Sequence, residues 1–165
     1  QCGVGVPTLR DVVGELMKNF WIQRKIPQEM EQRLEAVGAQ DLAGRLHGAI
    51  PAISLNSQTT LLTALLNDVD PALIFAQQVY GYGKEGDALL AFSTAPHTEN
   101  VYNAVRVAKA LGMATVLVCG KDGGAPAEVA DVAIHLPADV TFKIQELTLP
   151  TYHILCALME QAVFG

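Results

Sequence analysis

The chain has 165 residues, of which 50% are hydrophobic, 17% charged and 6% aromatic, and its mean hydropathy is +0.26. This predicts one domain with an aliphatic core and excludes a disordered tail, a collagen-like fibre or a low-complexity linker. Eleven basic residues against seventeen acidic ones leave a net charge of −6, a poor footprint for nucleic acid or anionic lipid.

Gln1-Cys2-Gly3 carries neither a basic n-region nor an apolar h-region, so no signal peptide is expected. Thr8 is placed to cap a helix over 9–20, where Leu9, Val12, Val13, Leu16, Met17 and Phe20 recur at helical spacing. Trp21-Ile22 then reads as an interface element, and Pro27 opens a second helix through Met30, Leu34 and Val37. The run AIPAISL at 49–55 predicts a short buried strand. Thr59 to Asn67 reads as a helix, and Pro71 as the first-turn proline of another reaching Tyr80.

The second half alternates more regularly. Strands are expected at Asp87–Phe92 (DALLAF), a continuous apolar run as of a strand covered on both faces, and at Ala114–Val118 (ATVLV) and Asp131–Leu136. Between them lie helices at Glu99–Leu111 and Pro126–Ala130, and a glycine turn at Gly120–Gly124. A last helix spans Phe142–Val163, with Pro150 expected to kink or break it. Strands alternating with helices imply right-handed crossovers and a parallel sheet, hence a three-layer α/β/α sandwich without internal repeat or linker. Ligands of such sheets sit beyond the carboxyl ends of the strands, where the loop Ser93–Thr98 lies.

Three cysteines, Cys2, Cys119 and Cys156, form no CxxC pair. They fit a reducing cytoplasm better than a disulfide scaffold or structural zinc cluster. No apolar run approaches the roughly 18 to 20 residues of a membrane span. Low charge with high aliphatic content also points to a subunit interface. Gly3-x-Gly5 lacks the third glycine and preceding strand of a dinucleotide fingerprint. His47 and His135 have no evident partners, and Cys119 has no local base and reads as buried.

The chemistry concentrates in LLAFSTAPHTEN (89–100), a strand, a hydroxyl-rich loop and a helix start. Ser93, Thr94 and Thr98 would meet the free N–H groups of a helix N-terminus, an arrangement suited to a phosphate. The plainer alternative is that the hydroxyls end the strand and Thr98 caps the helix.

From Gly86 to His153 the chain resembles the sugar isomerase (SIS) domain family, most closely its phosphoheptose isomerases. The resemblance is carried by Ser93-Thr94-Ala95-Pro96-His97-Thr98-Glu99-Asn100, by Cys119-Gly120-Lys121-Asp122-Gly123-Gly124, by Lys143-Ile144-Gln145-Glu146 and by His153-Ile154-Leu155. Upstream, GELMKNF (14–20), AIPAISL and the Asn67-Asp68 pair are similar to the family too. The resemblance implies a flavodoxin-like parallel sheet, a homo-oligomer (tetramer or dimer) and isomerisation of sedoheptulose 7-phosphate or a similar sugar phosphate. It implies Glu15 and His153 as the acid/base pair, and Ser93, Thr94, His97, Thr98, Asp68 and Gln145 around the substrate. It also implies a possible zinc site at Asp11, Glu15, Gln145 and His153.

The chain departs from the family pattern in its first loop, where Gly5 stands for the phosphate-binding serine and Asp11 for the histidine ligand. The strand and helix that precede this loop in the family have no counterpart in these 165 residues. In the second loop Ala95, Pro96 and His97 replace Ser-Gly-Asn, so a hydroxyl and a backbone donor are lost. These changes leave a competing reading, a non-catalytic SIS module that senses a phosphosugar or serves as an oligomeric adaptor.

Overall fold

Side chains alternate across a strand, and here both sets are apolar, so the sheet must be covered twice. The computed structural model of the chain describes residues 28–46 and 49–164. Within them β1 (Ala88–Ser93), β2 (Ala114–Cys119) and β3 (Val132–His135) form a parallel sheet in the order β1-β2-β3. Leu89, Ala91, Leu117 and Cys119 point to one face. There they meet Val101 and Val105 of α5 (Glu99–Ala110) and Ala127 and Val129 of α6 (Gly124–Val129). Leu90, Val116, Val118 and Ile134 point to the other and meet Ile144, Leu147, Leu155 and Met159 of α7 (Thr141–Phe164). Three layers result, as the sequence predicts.

Register aligns the carboxyl ends: Ser93 pairs with Cys119, and Cys119 with His135. The sites of chemistry on neighbouring strands therefore emerge at one edge. Helix α5 buries Val101, Ala104, Val105 and Ala108 at helical spacing. It ends where Gly112, at φ +76°, lets the Met113 N–H reach the Ala108 carbonyl at 3.0 Å. Met113 then packs with Ala108 and with Val79 of α4 (Ala76–Tyr82).

Thr115 is fully buried in β2 and is satisfied by Asp131 across the sheet. Its N–H and hydroxyl donate to Asp131 Oδ2 at 2.9 and 2.7 Å, while Lys109 donates to Oδ1. Burial pushes the Asp131 carboxyl up, but the bonds from Lys109 and Thr115 outweigh it and hold the group below its ordinary 3.8. A depressed carboxylate contributes stability that is complete above the unfolded value and lost as pH falls through the folded one. Asp131→Ala is expected to cost about 1–3 kcal/mol at pH 7, because it takes away the acceptor of the buried Thr115 N–H and hydroxyl, leaving the hydroxyl only the bond it accepts from the residue 131 N–H. Urea titrations at neutral pH and near pH 3 should show the difference from wild type shrinking with acid; a pH-independent difference would contradict the assignment.

Three expectations are corrected by the structure. Residues 49–55 form no strand, and Ile53 is 61% exposed. Pro51 cannot donate to a ladder and biases Ile50 as well, which defeats the apolar pattern. The segment after Asp70 divides into a 3-10 turn, Pro71–Leu73, and α4, instead of one helix. The helix expected to run through Met30, Leu34 and Val37 is α1 (Gln28–Ala36), which ends one residue short of Val37 and buries Leu34. Finally, Pro150 does not break α7, which runs through it. Glu146 and Pro150 lie on the exposed face, where water can take the carbonyl that the proline leaves unbonded.

The short α2 (Gln40–Ala43) and α3 (Thr59–Asp68) complete the described elements. The helix expected at 9–20 lies outside the described residues, with Asp11, Glu15, Trp21 and Ile22, as does His47. No helix among the described residues is long and apolar enough to cross a membrane.

Candidate functional site

Strand β1 delivers Ser93, only 6% exposed, to the start of the loop. Its hydroxyl lies 2.9 Å from Thr98 Oγ1 and 2.8 Å from the Ala95 carbonyl, and it accepts from the Ala95 N–H at 3.4 Å. Thr98 in turn donates to the Ala95 carbonyl at 2.9 Å. With one proton on each hydroxyl, Ser93 donates to Thr98 and Thr98 to Ala95, closing a small ring.

That ring decides the helix end. Thr98 occupies the N-cap of α5, yet its side chain makes no capping bond. The plainer reading holds by position, with Ser93 ending β1 and Thr98 at the cap, but not by bonding, since the Thr98 hydroxyl turns to Ala95. The first backbone bond of α5 runs from the Tyr102 N–H to the Thr98 carbonyl, 3.0 Å. The N–H groups of Glu99, Asn100 and Val101 have no partner among the described residues. Three orphan donors at the positive end of a helix make a seat for an anion.

They open on a cleft of about 470 Å³. Phe92, Ser93 and Thr94 line it from the end of β1, and Thr98, Asn100 and Val101 from the start of α5. Phe75 closes one side, and Gln145, Thr148, Leu149 and Tyr152 of α7 form the facing wall. None of these side chains carries a charge at neutral pH, so among the described lining residues an anion would meet hydroxyls, amides and backbone dipoles. Asn100 Oδ1 is buried there without a hydrogen-bond partner.

Of the residues expected at the site, Ser93, Thr94, Thr98 and Gln145 come together in this cleft. His97 and Asp68 do not line it; both are exposed, Asp68 at the end of α3. His153 is exposed too, but adjoins the cleft through Tyr152, whose ring centroid lies 4.5 Å from its own. Asp11 and Glu15 lie outside the described residues.

Sequence reading missed Phe75, Thr148, Tyr152 and Asn100. Thr148 and Tyr152 could have been found, because they stand three and seven residues after Gln145 on one helical face. Phe75 had no sequence signal.

Among the described residues no three His, Cys, Asp or Glu side chains gather closely enough to hold a metal. Gln145 and His153 are the two described members of the expected zinc set, and its other two, Asp11 and Glu15, lie outside the described residues. Cys119 is no nucleophile: burial first, and then the nearby Asp122 carboxylate, push its thiol up to about 11. Its neighbour is His135, 3.7 Å away, whose Nδ1 also faces the Gly120 and Lys121 carbonyls at 3.3 and 3.1 Å. Two carbonyl acceptors require that nitrogen to carry the proton.

The sequence matches the SIS domain family over residues 45–160. The phosphoheptose isomerase of Geotalea daltonii is 39% identical over 137 residues, covering 79% of this chain and 71% of that protein. The phosphoheptose isomerase of Sulfurimonas denitrificans is 38% identical over 137 residues, with 79% and 70% covered. Among solved structures, a phosphoheptose isomerase from Francisella tularensis superposes with a TM-score of 0.65 at 34% identity, covering 67% of this chain and 60% of that one. Another, from Neisseria gonorrhoeae, gives 0.67 at 28% identity, covering 92% and 82%.

Proposed function

The chain belongs to the SIS domain family, and from that premise we propose that it is a phosphosugar isomerase of the phosphoheptose type, interconverting the ketose and aldose forms of sedoheptulose 7-phosphate or a similar sugar phosphate. The observation that carries the reading is the uncapped N-terminus of α5 beside the hydroxyls of Ser93, Thr94 and Thr98. A phosphate there accepts from the three free N–H groups and leaves the sugar carbons directed along the cleft toward α7.

Isomerisation moves one proton between C1 and C2 and another between the hydroxyl oxygens. Glu15 and His153 carry these transfers, and Gln145 orients the sugar or joins Asp11, Glu15 and His153 around zinc. His97 and Asp68 contribute to substrate binding as the loop and the α3 terminus adjust to ligand. A cytoplasmic location and assembly into a homotetramer or dimer belong to the same reading; exposed Phe142, Leu149 and Ile154 on α7 support assembly. A second reading, a sensor without catalysis, is favoured by the position of His153 outside the cleft lining.

Turnover of sedoheptulose 7-phosphate, with zinc added or chelated, separates the two. Wild type is expected to turn over, and Glu15→Gln and His153→Ala each to lose about 10²–10⁴-fold, the usual worth of a positioned acid or base. No turnover, together with a phosphosugar-induced rise in melting temperature that Ser93→Ala removes, would establish the sensor instead.

A further inference from the structure

The Gly120–Gly124 turn serves no role in the function proposed above, yet it touches the anion loop directly. Gly124 has φ +55°, and a β-carbon there would overlap the Pro96 carbonyl oxygen and stand 2.7 Å from the Pro96 carbonyl carbon and 2.8 Å from its Cα. Those are backbone atoms, which cannot swing aside as a flexible side chain can. Pro96 lies midway between Ser93 and Thr98, so its backbone position fixes the span that the hydroxyl ring must close.

The turn itself is stiff. The Gly124 N–H donates to Asp122 Oδ1 at 3.0 Å, the Lys121 N–H donates to the Ala138 carbonyl at 3.1 Å, and His135 Nδ1 reaches two carbonyls of the turn. Gly120 is pinned as well, because a β-carbon there would stand 2.6 Å from Ile144 Cδ1 and 2.9 Å from the Ala138 carbonyl oxygen. Pro96 adds its own restricted φ on the other side of the contact.

We propose that Gly124 is a positioning residue for the ligand: the turn after β2 is a rigid bed on which Pro96 rests, and this contact holds the 93–98 loop with Thr98 drawn back to Ala95 and the α5 amides open. The family pattern has glycine where this chain has Pro96, and the restricted φ of a proline on a fixed bed leaves the loop fewer conformations to lose on binding. The inference rests on the reading of that loop as the phosphate seat.

The test is titration of inorganic phosphate into four variants of the whole chain by calorimetry, with melting temperatures measured in parallel. Gly124→Ala is expected to weaken phosphate binding by about tenfold or more. Gly112→Ala is the control. It imposes the same kind of left-handed strain, at φ +76°, but meets only the Glu85 side chain, whose Cγ lies 3.1 Å away. It should lose melting temperature and keep wild-type phosphate affinity. Pro96→Gly in the Gly124→Ala background should recover part of the loss, since a glycine loop can retreat from the added methyl. Should Gly124→Ala not fold, Asp122→Ala, which frees the Gly124 N–H, carries the test with an expected loss of about threefold. Equal phosphate affinity in wild type and Gly124→Ala, or an equal loss in Gly112→Ala, overturns the proposal. Absence of phosphate binding by wild type overturns the seat itself, and the positioning role with it.

Discussion

Thr98→Asp is expected to raise the melting temperature while abolishing phosphate binding. The two effects have one cause. In the wild type the N-cap side chain is turned away from the helix, leaving the Asn100 and Val101 amides unbonded. Aspartate is among the strongest N-caps, and supplying one is worth about 1 kcal/mol, or roughly 2–4 °C in a domain of this size. Its carboxylate then occupies the place of the anion. A charge about 4 Å from a bound phosphate costs roughly 4 kcal/mol at an effective dielectric of 20, close to three decades in affinity. Thermal melts and phosphate titrations on the same samples give both signs, with Thr98→Ser as the variant that keeps the hydroxyl and both wild-type values. A lower melting temperature with binding retained would mean that the helix end is not where the anion lies.

Leu117→Ala is expected to be the most destabilising truncation in the sheet, at about 3–4 kcal/mol. Leu117 is fully buried at the centre of the middle strand, packed with Val101 and Val105 of α5 on the face away from α7. The hole left between strand and helix cannot collapse, because the parallel neighbours of β2 fix the backbone on both sides. Leu149→Ala gives the contrast: that side chain is 53% exposed, and its loss should stay near or below about 0.5 kcal/mol. Urea-induced unfolding reads both. A cost under about 1 kcal/mol at Leu117 would be incompatible with its place in the core.

Much of the sheet was legible because parallel strands buried on both faces write themselves as unbroken apolar runs. DALLAF and ATVLV became β1 and β2 within a residue of their expected ends. AIPAISL was equally apolar and formed no strand, since one proline removes the donor that a ladder needs. Pro150 failed as a helix breaker for the complementary reason. A long helix packed on the sheet through Ile144, Leu147 and Leu155 loses one bond on its wet side and keeps the rest.

The site divides along the same line. While Gln145 came from the family resemblance, three of its members, Ser93, Thr94 and Thr98, could be named from the chain alone, as hydroxyls after a buried run and before a helix. Whether Thr98 capped α5 or turned back to Ala95 could not. Both arrangements satisfy the same hydroxyl, they differ by about a kilocalorie, and the choice is tied to Pro96 pressing on Gly124 from a different turn. Phe75 and Tyr152, 77 positions apart, likewise meet at one cleft only after α4 and α7 have docked near β1. Strand, helix and turn identity are local properties, set by spacing and by which residues lack a donor or a β-carbon. The far wall of the cleft, the open amides and the bed beneath the loop are properties of packing, and packing is decided by contacts between segments that the linear order keeps apart.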